Sequence, residues 1–254
     1  MSEDFLNALR QHDRSILERA AQAPLGLPKD IDQSISTLDA EGRELAVELV
    51  TRQDNEYAGT FLLRRTADTD VNVATMAADN ISKIINKPKT DEILGAIPKR
   101  SDSFVRGKLY LEAGRREETF VIEELRRQAA NESDSDAKLQ NLAARAKRGG
   151  QPEKAEFLEI VRKTEPDDAL QIQELLLYVN NPSLAKGLIP WLDNREGVMR
   201  LGSDRQNMMA KMCDVAVWTA HLLKIKLPFE TTHLRNFTPE EIEATRKILE
   251  LLPS

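Results

Sequence analysis

The sequence predicts an all-α fold built from stacked antiparallel helical hairpins, and three observations support that prediction. Aromatic residues make up only 5% of the 254 residues, and the chain has 11 glycines. Both values are low for a β-sandwich or a β-barrel, whose strands are rich in aromatic residues and whose turns need glycine. The third observation is a 32-residue period in the middle of the chain, which is typical of stacked supersecondary units.

The period becomes visible when the chain is written in rows of 32 residues. The rows begin at Thr37, Thr69, Ser101, Ser133 and Glu165. One column of these rows is large and apolar throughout, and we expect it to face the core: Phe61, Ile93, Leu125, Phe157 and Ile189. A second column begins with Glu41 in the first row and is apolar in the other four rows: Val73, Val105, Ala137 and Ala169.

Each row is expected to form two helices. In the third row the helices are Asp102–Ala113, ended by Gly114, and Glu117–Ala129. The fourth row predicts Asp136–Arg148, with a new helix near Pro152, since proline is well tolerated in a first turn. The fifth predicts Pro166–Val179 and a further helix from Pro182. Such short hairpins cannot bury their apolar stripes alone, so they must stack on their neighbours.

The ends of the chain differ from the middle and predict capping elements. Residues 1–36 are expected to form short helices broken by Pro24–Pro28, residues 37–196 the repeats, and residues 197–254 a C-terminal helical cap. Within that cap the sequence predicts an apolar helix over Asn207–Lys224. A last helix is predicted from the capping box at Thr238 to Leu252.

Three segments resemble HEAT-repeat proteins. Asp102, Val105, Arg106 and Leu109 are similar to the start of a HEAT first helix, and residues 188–194 look like the end of a second helix. Residues 213–218 resemble the final helix of some bacterial HEAT-repeat proteins. The resemblance implies a right-handed α-solenoid in which second helices line the concave surface. An armadillo-like fold or another helical-hairpin array is the alternative.

A candidate partner-binding face follows from this register. Residues one position before the core column, and residues two positions before or after it, point away from the core side of a helix. The candidate residues are Asp91, Glu92, Glu123, Glu124, Arg127, Glu156, Glu159, Leu188 and Trp191. This face is acidic in the middle and apolar at its C-terminal end, where an exposed Trp191 would be an aromatic anchor. The alternatives are that Trp191 packs against the next repeat and that the acids are ordinary solvent-exposed charges.

The charge and composition favour some partners over others. The net charge is −6 and no basic block is present, so nucleic acid is not expected, whereas a protein or peptide partner, neutral or basic, fits. No apolar run approaches the roughly 20 residues of a membrane span. The acidic N-terminus does not look like a secretory signal, so a cytoplasmic location is expected. The single cysteine, Cys213, argues against a disulfide framework and a cysteine-based zinc site.

The sequence contains no catalytic motif, so we expect no enzyme activity, no cofactor and no metal site. His12, His221 and His233 are far apart in sequence, and Asp214 lies two helical turns from His221, too far for a hydrogen bond. The chain lacks a phosphate-binding glycine loop, a calcium loop and a Gly-x-Ser-x-Gly elbow. The acid pairs lie where helix starts or polar helix faces are expected.

The leading functional hypothesis is a non-enzymatic protein-binding solenoid that uses the concave face of its second helices. A scaffold, a regulator, or an inhibitor of the immunity type that neutralises a basic toxin or enzyme would fit it. One alternative is an enzyme on a HEAT-like scaffold, such as a DNA glycosylase or a bilin lyase. Another is a helical bundle in which residues 207–254 form a small domain of their own.

Overall fold

A computed structural model of the chain describes residues 3–22, 34–201 and 208–253. These residues are mostly helical and include one small antiparallel sheet of two strands, so the expected all-α class is confirmed apart from that sheet. The chain divides into two compact units, Met1–Asn141 and Leu142–Ser254. The predicted Pro24–Pro28 break lies outside the described residues.

Short helices that contact one another form the first unit. Its described α-helices are α1 (Glu3–Arg10), α2 (Ser15–Gln22), α3 (Ala40–Gln53), α4 (Ala58–Arg65), α5 (Val71–Ile81), α6 (Thr90–Ala96), α7 (Ser103–Ala113), α8 (Phe120–Ala129) and the start of α9 (Ser135–Arg148). A short 3₁₀ helix, Ile97–Lys99, extends α6. Helix α3 contacts α4 and α5, α5 contacts α7, and α6 contacts α7 and α8. First helices of the predicted hairpins therefore contact first helices, and the second helices α6 and α8 contact each other.

The N-terminal caps of α5, α7 and α9 follow the 32-residue period. The carboxylates of Asp70, Asp102 and Asp134 each accept a hydrogen bond from the backbone N–H three residues later. An aspartate at this position satisfies a backbone donor that has no partner within the helix. The residues that donate are Val73, Val105 and Ala137, and all three are buried. The repeat therefore starts each of these helices in the same way.

The predicted core column is confirmed over most of its length. Phe61, Ile93, Leu125 and Phe157 are all buried. The fifth member, Ile189, lies between two 3₁₀ helices and is half-buried. The second-helix assignment therefore holds for the first four rows and fails in the fifth.

The described part of the second unit contains α-helices, 3₁₀ helices and two β-strands. After the end of α9, its elements are α10 (Gln151–Arg162), 3₁₀ helix Pro166–Asp168, α11 (Ala169–Val179), 3₁₀ helices Pro182–Leu188 and Pro190–Asp193, β1 (Gly197–Leu201), β2 (Met208–Lys211), α12 (Met212–Leu222) and α13 (Pro239–Glu250). Helix α12 contacts α11, α13, both strands and the last two 3₁₀ helices. Its apolar residues are mostly buried, which makes α12 the centre of this unit. The capping box predicted at Thr238 is confirmed.

The predicted helix over Asn207–Lys224 is wrong in its first turn. Met208–Lys211 forms strand β2, which pairs with β1, and α12 begins only at Met212. The Asp214 carboxylate accepts a hydrogen bond from the Lys211 backbone N–H at 2.9 Å, which caps the helix start. Pairing with β1, the strand that precedes it in the chain, therefore overrides the apolar periodicity that predicted a longer helix.

The helix predicted from Pro182 is also wrong, because the chain forms two 3₁₀ helices there. Pro190 has no backbone N–H and cannot continue the hydrogen bonds of an α-helix. Gly187 lies so close to α10 that a Cβ added to it would be 2.7 Å from Val161 Cγ1. This close approach holds residues 182–188 against α10.

Candidate functional site

A groove between the second helices α4 and α6 is the strongest candidate site in the first unit. It encloses about 450 Å³ and includes Asp91 and Glu92 of the predicted face. Its lining residues are Leu63, Arg64, Asp91, Glu92, Gly95, Ala96, Lys99 and Arg100. The groove therefore joins part of the predicted acidic face to cations at the C-terminal end of α6 and its 3₁₀ extension.

Two glycines of the second helices differ in what surrounds them. A Cβ added to Gly59 would lie 2.4 Å from the Asn86 backbone oxygen, so only glycine lets α4 approach the loop before α6 this closely. Gly95 is exposed in the groove, and a Cβ added there would meet no atom within 4 Å. The apolar Leu63 and Ala96 are nearly buried beside it. The groove thus has an apolar floor and an open stretch of helix backbone.

Replacing Gly95 by alanine is expected to stabilise the protein by about 0.5–1 kcal/mol, because alanine loses less backbone entropy in a helix. The space around Gly95 makes this gain free of steric strain. Urea unfolding monitored by circular dichroism measures the change. The matched control is Gly59→Ala, which should destabilise the protein because the new methyl group meets backbone atoms. A loss of stability in Gly95→Ala would contradict the open geometry of the groove.

Opposite charges lie at the two ends of α6. Asp91 and Glu92 are exposed in its first turn, where carboxylates interact favourably with the helix dipole. The Glu92 carboxylate also accepts a hydrogen bond from the Lys89 backbone N–H at 3.1 Å. Lys99 and Arg100 follow the C-terminal end. A ligand in the groove would therefore meet carboxylates at one end and cations at the other.

The remaining acids of the predicted face in this unit are neutralised within their own helix. The Arg126 guanidinium lies 2.6 Å from the Glu123 carboxylate, and Arg127 Nε donates to Glu124 at 2.7 Å. The hydrogen bond from Arg127 holds the pKa of Glu124 below its usual range. Pairs one turn apart on an exposed helix stabilise it only slightly. Among the acids of the predicted face in the first unit, only Asp91 and Glu92 form no ion pair with a described lysine or arginine.

In the second unit the predicted face residues fall into two groups. Glu156 and Glu159 are exposed, and both form ion pairs, with Arg145 at 3.7 Å and with Arg162. Leu188 and Trp191, in contrast, are buried. The Trp191 Nε1–H donates to the Val161 backbone oxygen at 2.7 Å. The prediction of an exposed apolar anchor is wrong, because Trp191 packs in the core of its own unit.

Two groove residues, Lys99 and Arg100, were missed because no single motif marks them. Lys99 is exposed and forms no ion pair within the described part of the chain. Arg100 is half-buried, and burial lowers the pKa of its guanidinium. A signal was present in the repeat, since residues 68, 100 and 132 share one column and hold Asp, Arg and Glu. A change of charge sign within an aligned column could have identified Arg100.

The described residues show no arrangement typical of a metal site or of a reactive thiol. No group of three His, Cys, Asp or Glu side chains is arranged there to bind a metal ion. Burial raises the pKa of the Cys213 thiol, and Arg195 Nη1 lies 3.1 Å from its sulfur. A buried thiol of raised pKa is a poor nucleophile. None of the described helices has the length and apolar character needed to cross a membrane.

Comparisons with known proteins add no family to this description. No family model matches the chain, and neither the curated proteins nor the solved structures include a significant match.

Proposed function

We propose that this chain is a non-enzymatic protein-binding module that receives a polypeptide segment in the groove between α4 and α6. In this proposal the helical hairpins stack as a solenoid, and the groove lies on the face formed by second helices. The single observation that carries the proposal is the groove itself. It has an apolar floor, an open glycine backbone at Gly95, and exposed carboxylates at Asp91 and Glu92.

The helix contacts of the first unit support the stacked arrangement. First helices contact each other along α3, α5 and α7, and α6 contacts α8. Side-chain hydrogen bonds also link neighbouring helices of the stack. Gln128 of α8 donates to the Leu94 backbone oxygen of α6 at 2.9 Å, and Asn141 of α9 donates to the Leu125 oxygen of α8 at 3.1 Å. A stack of this kind holds its second helices side by side and creates grooves between them.

The partner is proposed to carry a basic residue that faces Asp91 and Glu92. Neither carboxylate forms an ion pair with a described lysine or arginine, whereas Glu123 and Glu124 do. Unpaired charges at an interface steer association and select the partner more than they add affinity. The bare helix surface at Gly95 leaves room for the partner's main chain.

Substitutions in the groove are expected to weaken partner capture. The purified chain would be immobilised and exposed to an extract of its source cells, beside Asp91→Lys and Gly95→Trp variants. Asp91→Lys reverses the charge that meets the basic residue, and Gly95→Trp fills the groove without meeting other atoms at its Cβ. Both should lower the recovery of a specific partner about tenfold or more, a loss of about 1.4 kcal/mol in binding.

The matched control is Glu250→Lys, which makes the same kind of charge reversal at an exposed residue of the second unit. Circular dichroism and thermal unfolding would show that all variants are folded. A partner recovered equally well by the wild type and by both groove variants would place the binding surface elsewhere and overturn the proposal.

A further inference from the structure

Three successive hairpins end at equivalent positions, and the two outer ones carry the same buried ion pair. Asp68 accepts hydrogen bonds from Arg43 Nε at 3.0 Å and Nη2 at 2.9 Å. Glu132 accepts from Arg106 Nε at 2.8 Å and Nη2 at 2.7 Å. Both arginines are the fourth residue of a first helix, counted from the capping aspartate. In both hairpins a bidentate arginine–carboxylate ion pair thus links the first helix to the turn that follows the second helix.

The middle hairpin lacks both members of this pair. Ala74 takes the place of the arginine at the fourth position of α5, and Arg100 takes the place of the carboxylate. Arg100 Nε donates to Thr66 Oγ1 at 2.7 Å, and Nη2 donates to the Leu63 backbone oxygen at 3.1 Å. Both acceptors are neutral, and Arg100 Nη1 forms no hydrogen bond within the described residues. A half-buried guanidinium therefore has no carboxylate partner in the described structure.

Open space surrounds this guanidinium. Arg100 lines three cavities, of about 400, 380 and 450 Å³, and the third of these is the groove between α4 and α6. The small side chain of Ala74 lines the second. The neighbouring carboxylates are already engaged, Asp68 by Arg43 and Glu132 by Arg106. Neither neighbouring carboxylate therefore takes up the Arg100 Nη1 group, and a ligand in one of these cavities would meet the Arg100 side chain.

Gln128, which lines the same cavity as Arg100, carries a buried acceptor without a described partner. Gln128 is only 5% exposed, and its Nε2 donates to the Leu94 oxygen and to Glu124. Its Oε1 has no hydrogen-bond partner in the part of the chain that the structure describes. Buried polar atoms are rarely left without a partner, so each exception calls for a ligand or another explanation. A ligand that satisfies both groups must offer an anionic group to Arg100 and a hydrogen-bond donor to Gln128.

We propose that Arg100 and Gln128 form a recognition site for an acidic residue of a polypeptide. The side-chain carboxylate of an aspartate or glutamate binds the free edge of the Arg100 guanidinium, and a backbone N–H of the same segment donates to Gln128 Oε1. Guanidinium binds carboxylate and phosphate alike, so inorganic phosphate is the competing ligand that the test below includes. The exposed Lys99 adds a second positive charge beside the site. This inference rests on the proposed function in one respect, namely that the ligand is a polypeptide.

The site can be tested with small probes that need no identified partner. N-acetyl-aspartate amide would be titrated into the ¹⁵N-labelled full chain, and the arginine Nε–H resonances followed by NMR, with Arg100→Gln used for assignment. The Arg100 resonance is expected to move saturably. N-acetyl-asparagine amide, which lacks the charge, should bind about tenfold more weakly or worse. Equal binding of both probes, or saturation by inorganic phosphate at a lower concentration, would overturn the proposal.

Two variants separate recognition from folding. Arg100→Lys keeps the charge but loses the planar fork, so it should bind the aspartate probe about tenfold more weakly. The double variant Ala74→Arg/Arg100→Glu copies the ion pair of the flanking hairpins. It should therefore fold at least as stably as Arg100→Glu alone and no longer bind the probe. Probe binding that persists in the folded double variant would contradict the assignment.

The outcomes distinguish this site from the groove hypothesis. If the probe binds at Arg100 while partner capture is indifferent to Asp91→Lys and Gly95→Trp, the site stands and the proposed function fails. If capture depends on both groove residues but is unchanged in Arg100→Lys, the proposed function stands and the Arg100 assignment fails.

Discussion

Replacing Trp191 by alanine is expected to destabilise the second unit by about 3–5 kcal/mol, the range for truncating a large buried aromatic side chain. Trp191 is 1% exposed, and its Nε1–H donates to the Val161 backbone oxygen at 2.7 Å. The substitution opens a cavity and leaves that oxygen without its donor. Urea unfolding measured by circular dichroism and by the fluorescence of Trp218 would report the loss.

Two further variants test the cause of this effect. Trp191→Phe fills most of the volume but cannot donate a hydrogen bond to Val161. Its unfolding free energy should therefore lie between those of the wild type and Trp191→Ala. Ile189→Ala, at the half-buried position two residues earlier, should cost less because less apolar area leaves the core. A Trp191→Ala variant with an unchanged urea midpoint would be incompatible with a buried Trp191.

The second large effect is expected at the ion pair of Arg106 and Glu132. Glu132→Ala should destabilise the first unit by about 3–5 kcal/mol, because removing one partner of a buried pair leaves the other charge unpaired. The side chains of Arg106 and Glu132 are 15% and 3% exposed. Glu132 also accepts from the backbone N–H groups of Ser133 and Asp134. Chemical unfolding monitored by circular dichroism measures the change.

A surface pair of the same chemistry is the matched control. Glu123→Ala removes an exposed partner of Arg126 and should change stability by less than about 1 kcal/mol. Replacing both members of the buried pair, in Arg106→Met/Glu132→Met, should recover much of the loss, since apolar residues leave no charge uncompensated. Equal effects of Glu132→Ala and Glu123→Ala would show that the buried pair contributes no more than a surface pair.

The contribution of Glu132 should also depend on pH. The hydrogen bond from Arg106 holds the pKa of Glu132 below its usual range. A carboxyl whose pKa is lower in the folded state contributes its full stabilisation above the unfolded value, roughly 4.3 for glutamate. That stabilisation is lost as the pH falls through the folded-state pKa. The difference in unfolding free energy between wild type and Glu132→Ala should therefore shrink in acid, and a difference that grows would contradict this.

Local patterns predicted several features correctly. The capping box at Thr238 depends on residues three positions apart, and the helix start at Asp102 depends on the backbone N–H of Val105. The burial of Phe61, Ile93 and Leu125 follows from a column of apolar residues with the period of a hairpin. Features of this kind were predictable because the residues that determine them lie close together, or recur, in the sequence.

The candidate site was predicted only in part. Asp91 and Glu92 are exposed and line the groove between α4 and α6, but Leu188 and Trp191 are buried in the second unit. The apolar periodicity of a second helix does not show whether its outer side will be covered by another element. That outcome depends on the 3₁₀ helices 182–193 packing against α10 and α12, which involves residues far apart in the chain.

From composition, periodicity and capping residues alone, the helical class, the 32-residue repeat and the core of its first four rows follow. These properties are local, because they depend on helix propensity and on the apolar period of each hairpin. Tertiary packing decided that residues 208–211 pair as a strand, that Trp191 is buried, and that Arg100 has no carboxylate partner among the described residues. The strand depends on pairing with the nearby residues 197–201, and the other two depend on which distant residues come into contact. In each case a backbone group or a charge takes whichever partner the fold brings within hydrogen-bonding distance.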